Sequence, residues 1–178
     1  MNHRIVFLML ALAAISFSQI LPNGLASEEL VVNGGFESGE FNGWDSDATC
    51  QIIPMYRLKP HGGWYSARIG AESRIGTLSQ TVTIPDKSRA NFSFAYKLDE
   101  GAVLDVYLSE VNGSTIQHWS LGEETDWRLL KYSIDPRYAG RQILLTFKGK
   151  VFTEERLVPT DLVTPSGEEI IVYMPVKI

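Results

Sequence analysis

From about residue 90 onward the chain alternates apolar and polar positions with a period of two. Phe92, Phe94, Tyr96 and Leu98 are separated by Ser93, Ala95 and Lys97. Leu104, Val106 and Leu108 are separated by Asp105 and Tyr107, and Ile143, Leu145 and Phe147 by Leu144 and Thr146. Successive side chains of a strand point to opposite faces, so this spacing predicts strands with one buried face. Turn signals fall between the runs: His61-Gly62-Gly63, Pro85-Asp86-Lys87, Asp99-Glu100-Gly101, Asn112-Gly113 and Tyr138-Ala139-Gly140. Asn112-Gly113 predicts a hairpin with positive φ at both central positions of a type I′ turn. No segment sustains a 3.6-residue period, and Asp135 to Gly140 offers room for a single helical turn. Many short strands at such spacing predict an all-β, two-sheet antiparallel β-sandwich.

The start of the chain reads differently. Asn2-His3-Arg4 is short and basic, Ile5 to Phe17 is apolar, and Pro22 to Ala26 is a breaker ending on small residues. That order is the layout of a secretory signal peptide, with Gly24 and Ala26 at the small positions before a cut after Ala26. The rival is an uncleaved membrane anchor. A spanning helix wants about 20 apolar residues, and this run meets Ser16, Ser18 and Gln19 first. The expectation is a signal peptide over residues 1–26 and one β-sandwich domain over 27–178, secreted or held in the cell envelope, and monomeric. Contact with a membrane would come only through an uncleaved leader.

Charge and cysteine content narrow the classes. The formal net charge is −5, and losing Arg4 with the leader makes it −6. Phosphate backbones call for a basic face, so nucleic acid is not an expected partner. Cys50 is the single cysteine, so packing and not an internal disulfide must hold the domain. It is either a small half-buried side chain or one half of an intermolecular bridge.

Leu30 to Trp44 reads LVVNGGFESGEFNGW: a short apolar strand, an Asn-Gly-Gly turn needing positive φ, Phe-Glu, and a second Gly-rich turn ending on Trp. This opening resembles that of galactose-binding-like jelly-roll modules, a class that includes carbohydrate-binding modules and adhesive MAM domains. The resemblance continues in order through GWYSARIG, LSQTVTIP, FSFAYKL, LDVYLSEVNG, TDWRLLKYSI and ILLTFKG, with the stretch from FSFAYKL onward similar to the MAM pattern. It covers residues 30–149 and implies a jelly roll. Residues 150–178 diverge: Ile170 to Pro175 stand where such modules carry an aspartate-rich last strand, and Val151 to Glu169 reads as a loop or edge hairpin.

The resemblance also implies a structural calcium with Glu37 as ligand. Calcium takes six to eight oxygens, and Asp45, Asp47, Glu168 or Glu169 would have to stand in for the missing late aspartate. The alternative is that Glu37 accepts bonds from turn amides. No other cofactor is expected. The chain shows no Gly-x-Ser-x-Gly elbow, His-Glu-x-x-His helix, phosphate loop or dinucleotide fingerprint, so a non-catalytic protein is expected.

Aromatic residues are the candidate ligand groups, because sugar rings have apolar faces that stack on Trp and Tyr. The resemblance assigns Trp44 and Trp127 to sealing the core. Trp64, beside Tyr65 and downstream of Tyr56 and His61, forms a loop-edge cluster. Trp119 lies beside His118 on a predicted strand; for Trp64 and Trp119, core packing and ligand contact both remain open. Tyr107, Asp105 and Lys97 are expected on an outward sheet face, either a binding surface or an ordinary solvated one. Asn91 and Asn112 each start an N-glycosylation tripeptide. The functional expectation is a protein that binds a polysaccharide or cell-surface glycan. The alternatives are adhesion to a cell-surface glycoprotein and a structural role in the envelope.

Overall fold

A computed structural model describes residues 8–21, 24–57, 59–70, 74–86, 89–151, 155–163 and 169–177. The strands are β1 Leu8–Leu21, β2 Gly24–Glu29, β3 Asp45–Ser46, β4 Gln51–Pro54, β5 Tyr65–Arg68, β6 Gly76–Thr83 and β7 Arg89–Leu98. They continue with β8 Ala102–Glu110, β9 Thr115–Leu121, β10 Glu124–Ile134, β11 Gln142–Val151, β12 Glu155–Val163 and β13 Glu169–Lys177. Pro136–Tyr138 makes a single 3-10 turn, capped by Asp135, whose side chain accepts from the Arg137 amide at 2.9 Å.

Two antiparallel sheets face each other. The first has the order β10-β7-β1-β5-β4, with β2 paired to β1, and the second the order β3-β6-β11-β8-β9. The period-two pattern sets the inward faces. Leu104, Val106 and Leu108 of β8 and Ile143, Leu145 and Phe147 of β11 are fully buried, as are Phe92 and Phe94 of β7. Phe147 joins the sheets: its ring lies 5.3 Å edge-on from Phe94 and 6.3 Å from Phe92. The turn signals fall between strands, as the sequence predicts.

Several local expectations change. Leu30-Val31-Val32 is not a strand; β2 ends at Glu29 and the backbone turns there. Val32 is held by a side chain instead. The buried Gln80 of β6 accepts from the Val32 amide at 2.8 Å and donates to the carbonyls of Val32 and Gly43 at 3.0 and 2.8 Å. Within the Asn-Gly-Gly-Phe turn, positive φ falls on Asn33 (51°) and Phe36 (59°), not on the glycine pair. A bulky residue is strained there. Phe36 is held by complete burial against Trp44 and Phe41, with centroids at 5.6 and 6.1 Å. In the β8–β9 hairpin only Gly113 has positive φ, at 94°, so the turn is not type I′. The connection is four residues long, which a turn followed by a left-handed glycine accommodates.

Leu8 to Phe17 of the apolar run expected as a leader lies in β1, inside the first sheet, while Ile5 to Phe7 lie outside the described residues. β12 and β13 pair antiparallel with each other. No helix among the described residues is long and apolar enough to cross a membrane.

Candidate functional site

One end of the sandwich gathers exposed aromatics on a braced loop. The β4–β5 connection closes through the Met55 amide, which donates to the Trp64 carbonyl at 2.7 Å. The Phe36 turn then aims Glu37 at this loop. The Glu37 carboxylate accepts from the Trp64 amide at 3.0 and 3.1 Å and from the Tyr65 amide at 3.4 Å. Gly63 permits this approach, because a Cβ on it would run into Glu37 Oε1. The backbone of Trp64 is therefore fixed from 27 residues away while its indole stays 65% exposed. Tyr56, on the same loop, is 82% exposed. Tyr65 is half-buried, its ring lying beside Gly39.

Trp127 corrects the expectation that it seals the core. It is only half-buried on the edge strand β10, its Nε1 donating to the Lys59 carbonyl at 3.3 Å and its ring 5.9 Å edge-on to His61. It ties the aromatic loop to β10. Trp44 does seal the core, buried between Phe36 and Phe147. Trp119 faces inward from β9, half-buried, packing on Phe92 and Tyr132 at 5.9 and 5.2 Å.

The outer face of the second sheet carries Tyr107 and Asp105, but not as an open platform. His118 stacks on Tyr107 at 4.3 Å and 10°, and Lys148 Nζ lies 5.4 Å from the same ring. His118 Nε2 also hydrogen-bonds Asp105 at 3.1 Å. Lys97 is not part of this group; it lies on β7 in the other sheet, and Lys148 of β11 takes the place expected for it. The alternation showed that Asp105 and Tyr107 point outward, but strand neighbours are not written in a period. The pair formed by Tyr107 and His118 could have been read from the hairpin register, because the two residues sit directly opposite.

The residues do not fit the calcium expected at Glu37. Both its oxygens face backbone N–H donors, whose positive ends repel a cation. No group of three His, Cys, Asp or Glu side chains that could share an ion occurs among the described residues. Asp47 is committed elsewhere. Burial raises its carboxyl, but bonds from the Thr49 hydroxyl, the Thr49 amide and the Thr77 amide outweigh that and hold it below its usual range. Asp45 is exposed in β3, Glu169 begins β13, and Glu168 lies outside the described residues.

Cys50 is half-buried beside Asp47, with its Sγ 3.4 Å from the Thr77 carbonyl. Burial and the Asp47 charge push the thiol up from 9.0 to about 11. At pH 8 its thiolate population is then about a hundredfold below that of an ordinary cysteine. Labelling by a disulfide reagent at pH 8 should be slower by about that factor. Labelling at the free-cysteine rate would show the thiol to be open. Asn112 stands exposed at the hairpin tip; Asn91 is exposed on β7, where its side-chain oxygen accepts from the Ser133 hydroxyl at 2.9 Å.

No protein-family pattern and no curated protein matches the chain. Its fold does match a solved structure. The carbohydrate-binding module TmCBM61, solved in complex with β-1,4-galactotriose, superposes with a TM-score of 0.56 at 20% identity, covering 68% of this chain and 87% of that one. At that identity the likeness is one of fold. The chain is an antiparallel jelly-roll β-sandwich of the architecture used by carbohydrate-binding modules.

Proposed function

We propose that the protein is an exported, non-catalytic module that binds carbohydrate at the β4–β5 loop edge, with Trp64 and Tyr56 as the stacking surfaces. One observation carries this reading: the Trp64 indole is 65% exposed while its backbone is pinned by Glu37. An exposed aromatic ring offers a flat face for stacking, and a pre-fixed one binds without the cost of ordering its loop. The same loop carries exposed groups suited to sugar hydroxyls: the His61 ring, the Arg57 guanidinium and the Lys59 ammonium. The fold shared with a module solved with a galactotriose supports the same class of ligand and names the first one to try.

The test is a titration of tryptophan fluorescence with β-1,4-galactotriose and a panel of longer polysaccharides. A stacked ring contributes on the order of 1–3 kcal/mol, so Trp64→Ala should weaken binding about tenfold or more. The melting temperature should stay nearly constant, because the variant keeps every backbone bond of the loop. Tyr107→Phe should leave binding unchanged. If no glycan binds, the reading fails and adhesion to a protein surface becomes the better account.

A further inference from the structure

We propose that residues 1–26 are removed on export and that β13 then enters the first sheet between β5 and β7, in the position β1 holds. The inference does not depend on the ligand. It starts from two properties of one segment. Leu8–Leu21 lies inside the first sheet, paired with β7 from Leu8↔Leu98 to Ser18↔Arg89 and with β5 at Met9↔Arg68 and Leu10↔Ala67. Its first part, Leu8 to Phe17, belongs to the apolar run of a leader whose cut site, Ala26, lies within β2, and β2 pairs with β1. Cleavage therefore removes β1 and half of β2 together.

The sheet cannot stay as it is after that loss. β5 and β7 would face each other across a missing strand, leaving rows of backbone N–H and C=O groups without partners in the middle of a sheet. They cannot simply close up. Both run antiparallel to β1, so they are parallel to each other, and each stands about 4.8 Å from the vacated strand line. The position calls for an apolar strand of nine or ten residues, antiparallel to both neighbours and able to leave its present partner.

β13 meets that description. It has nine residues, Glu169–Lys177, and its interior IIVYM is β-branched, aromatic and uncharged. Its partner in the structure is β12, and a lone two-stranded hairpin is marginal in water. β12 fits worse, because Pro159 and Asp161 interrupt its centre. Residues 152–168 connect β11 to β13 and can span roughly 50 Å when extended, enough to cross a small domain. Pro175 is compatible too. An occupant running as β1 does has its first residues beside β5 and its last beside Ala90, so Pro175 would lie past the reach of β5, where one edge is open.

The experiment uses the full chain expressed in a secreting host. Mass spectrometry of the exported protein should show a start after Ala26. Hydrogen exchange should then show β13 amides protected at least about a thousandfold, matching those of β7, because both would open only with the whole fold. Val172→Pro should abolish the cooperative melt, whereas Val158→Pro, at the fourth position of β12 as Val172 is of β13, should retain it. Recovery of exported protein that still carries residues 8–21 would overturn the proposal. So would β13 amides that exchange as fast as a free peptide, or equal tolerance of the two prolines. A dimer that persists on dilution, with β13 protected, would mean that a second copy supplies the strand, and would also overturn it.

Discussion

Trp44→Ala is expected to destabilise the domain by about 3–5 kcal/mol, the usual effect of removing a buried large aromatic. Trp44 is 7% exposed, with its ring 5.6 Å from Phe36 and 6.0 Å from Phe147. Two losses combine. The cavity opens beside the ring that joins the two sheets, and Asn33 loses the indole N–H that its carbonyl accepts at 3.2 Å. Burial around Trp44 also keeps Phe36 at its strained positive φ, so the turn that carries Glu37 should loosen with it. A loss of that size is a large part of a typical domain's stability. Urea denaturation measures it, with Trp127→Ala as the comparison. Trp127 is half-buried at the surface, and its truncation should cost clearly less. Equal effects from the two would mean that core and surface have been assigned the wrong way round.

Gln80→Leu is expected to cost about 2–4 kcal/mol, although it places an apolar side chain of similar size in a buried position. The Gln80 side chain satisfies three backbone groups, the amide and carbonyl of Val32 and the carbonyl of Gly43. Leucine satisfies none, and each of the three part-buried hydrogen bonds lost is worth about 0.5–1.5 kcal/mol. Gln80→Glu should be nearly as damaging, since a carboxylate can accept from the Val32 amide but cannot donate to the two carbonyls. The loop held by Gln80 carries Glu37, which in turn fixes Trp64. Glycan binding should therefore weaken in any Gln80 variant that still folds. A Gln80→Leu protein as stable as wild type would show that the loop finds other partners.

Some of this was legible in the residues themselves. Alternation in β7, β8 and β11 identified the inward side chains, because a strand must send alternate residues to opposite faces. The turn residues located the breaks between strands, and together they defined an antiparallel sandwich. The local turn geometry was less legible. Asn33 and Phe36, not the glycine pair, took the positive φ, because packing against Trp44 outweighed the intrinsic preference of glycine.

The sequence by itself determined the class of fold and which face of each central strand is buried, since both follow from a two-residue repeat that every strand obeys. Only the tertiary structure decided who meets whom. It set Lys148 and not Lys97 beside Tyr107, turned Trp119 inward and left Trp127 near the surface, and brought Glu37 to the amide of Trp64. Those outcomes depend on strand order and on loops closing across 27 or more residues. A repeat fixes a side chain's direction from its own strand, but not the strand or loop that packs against it.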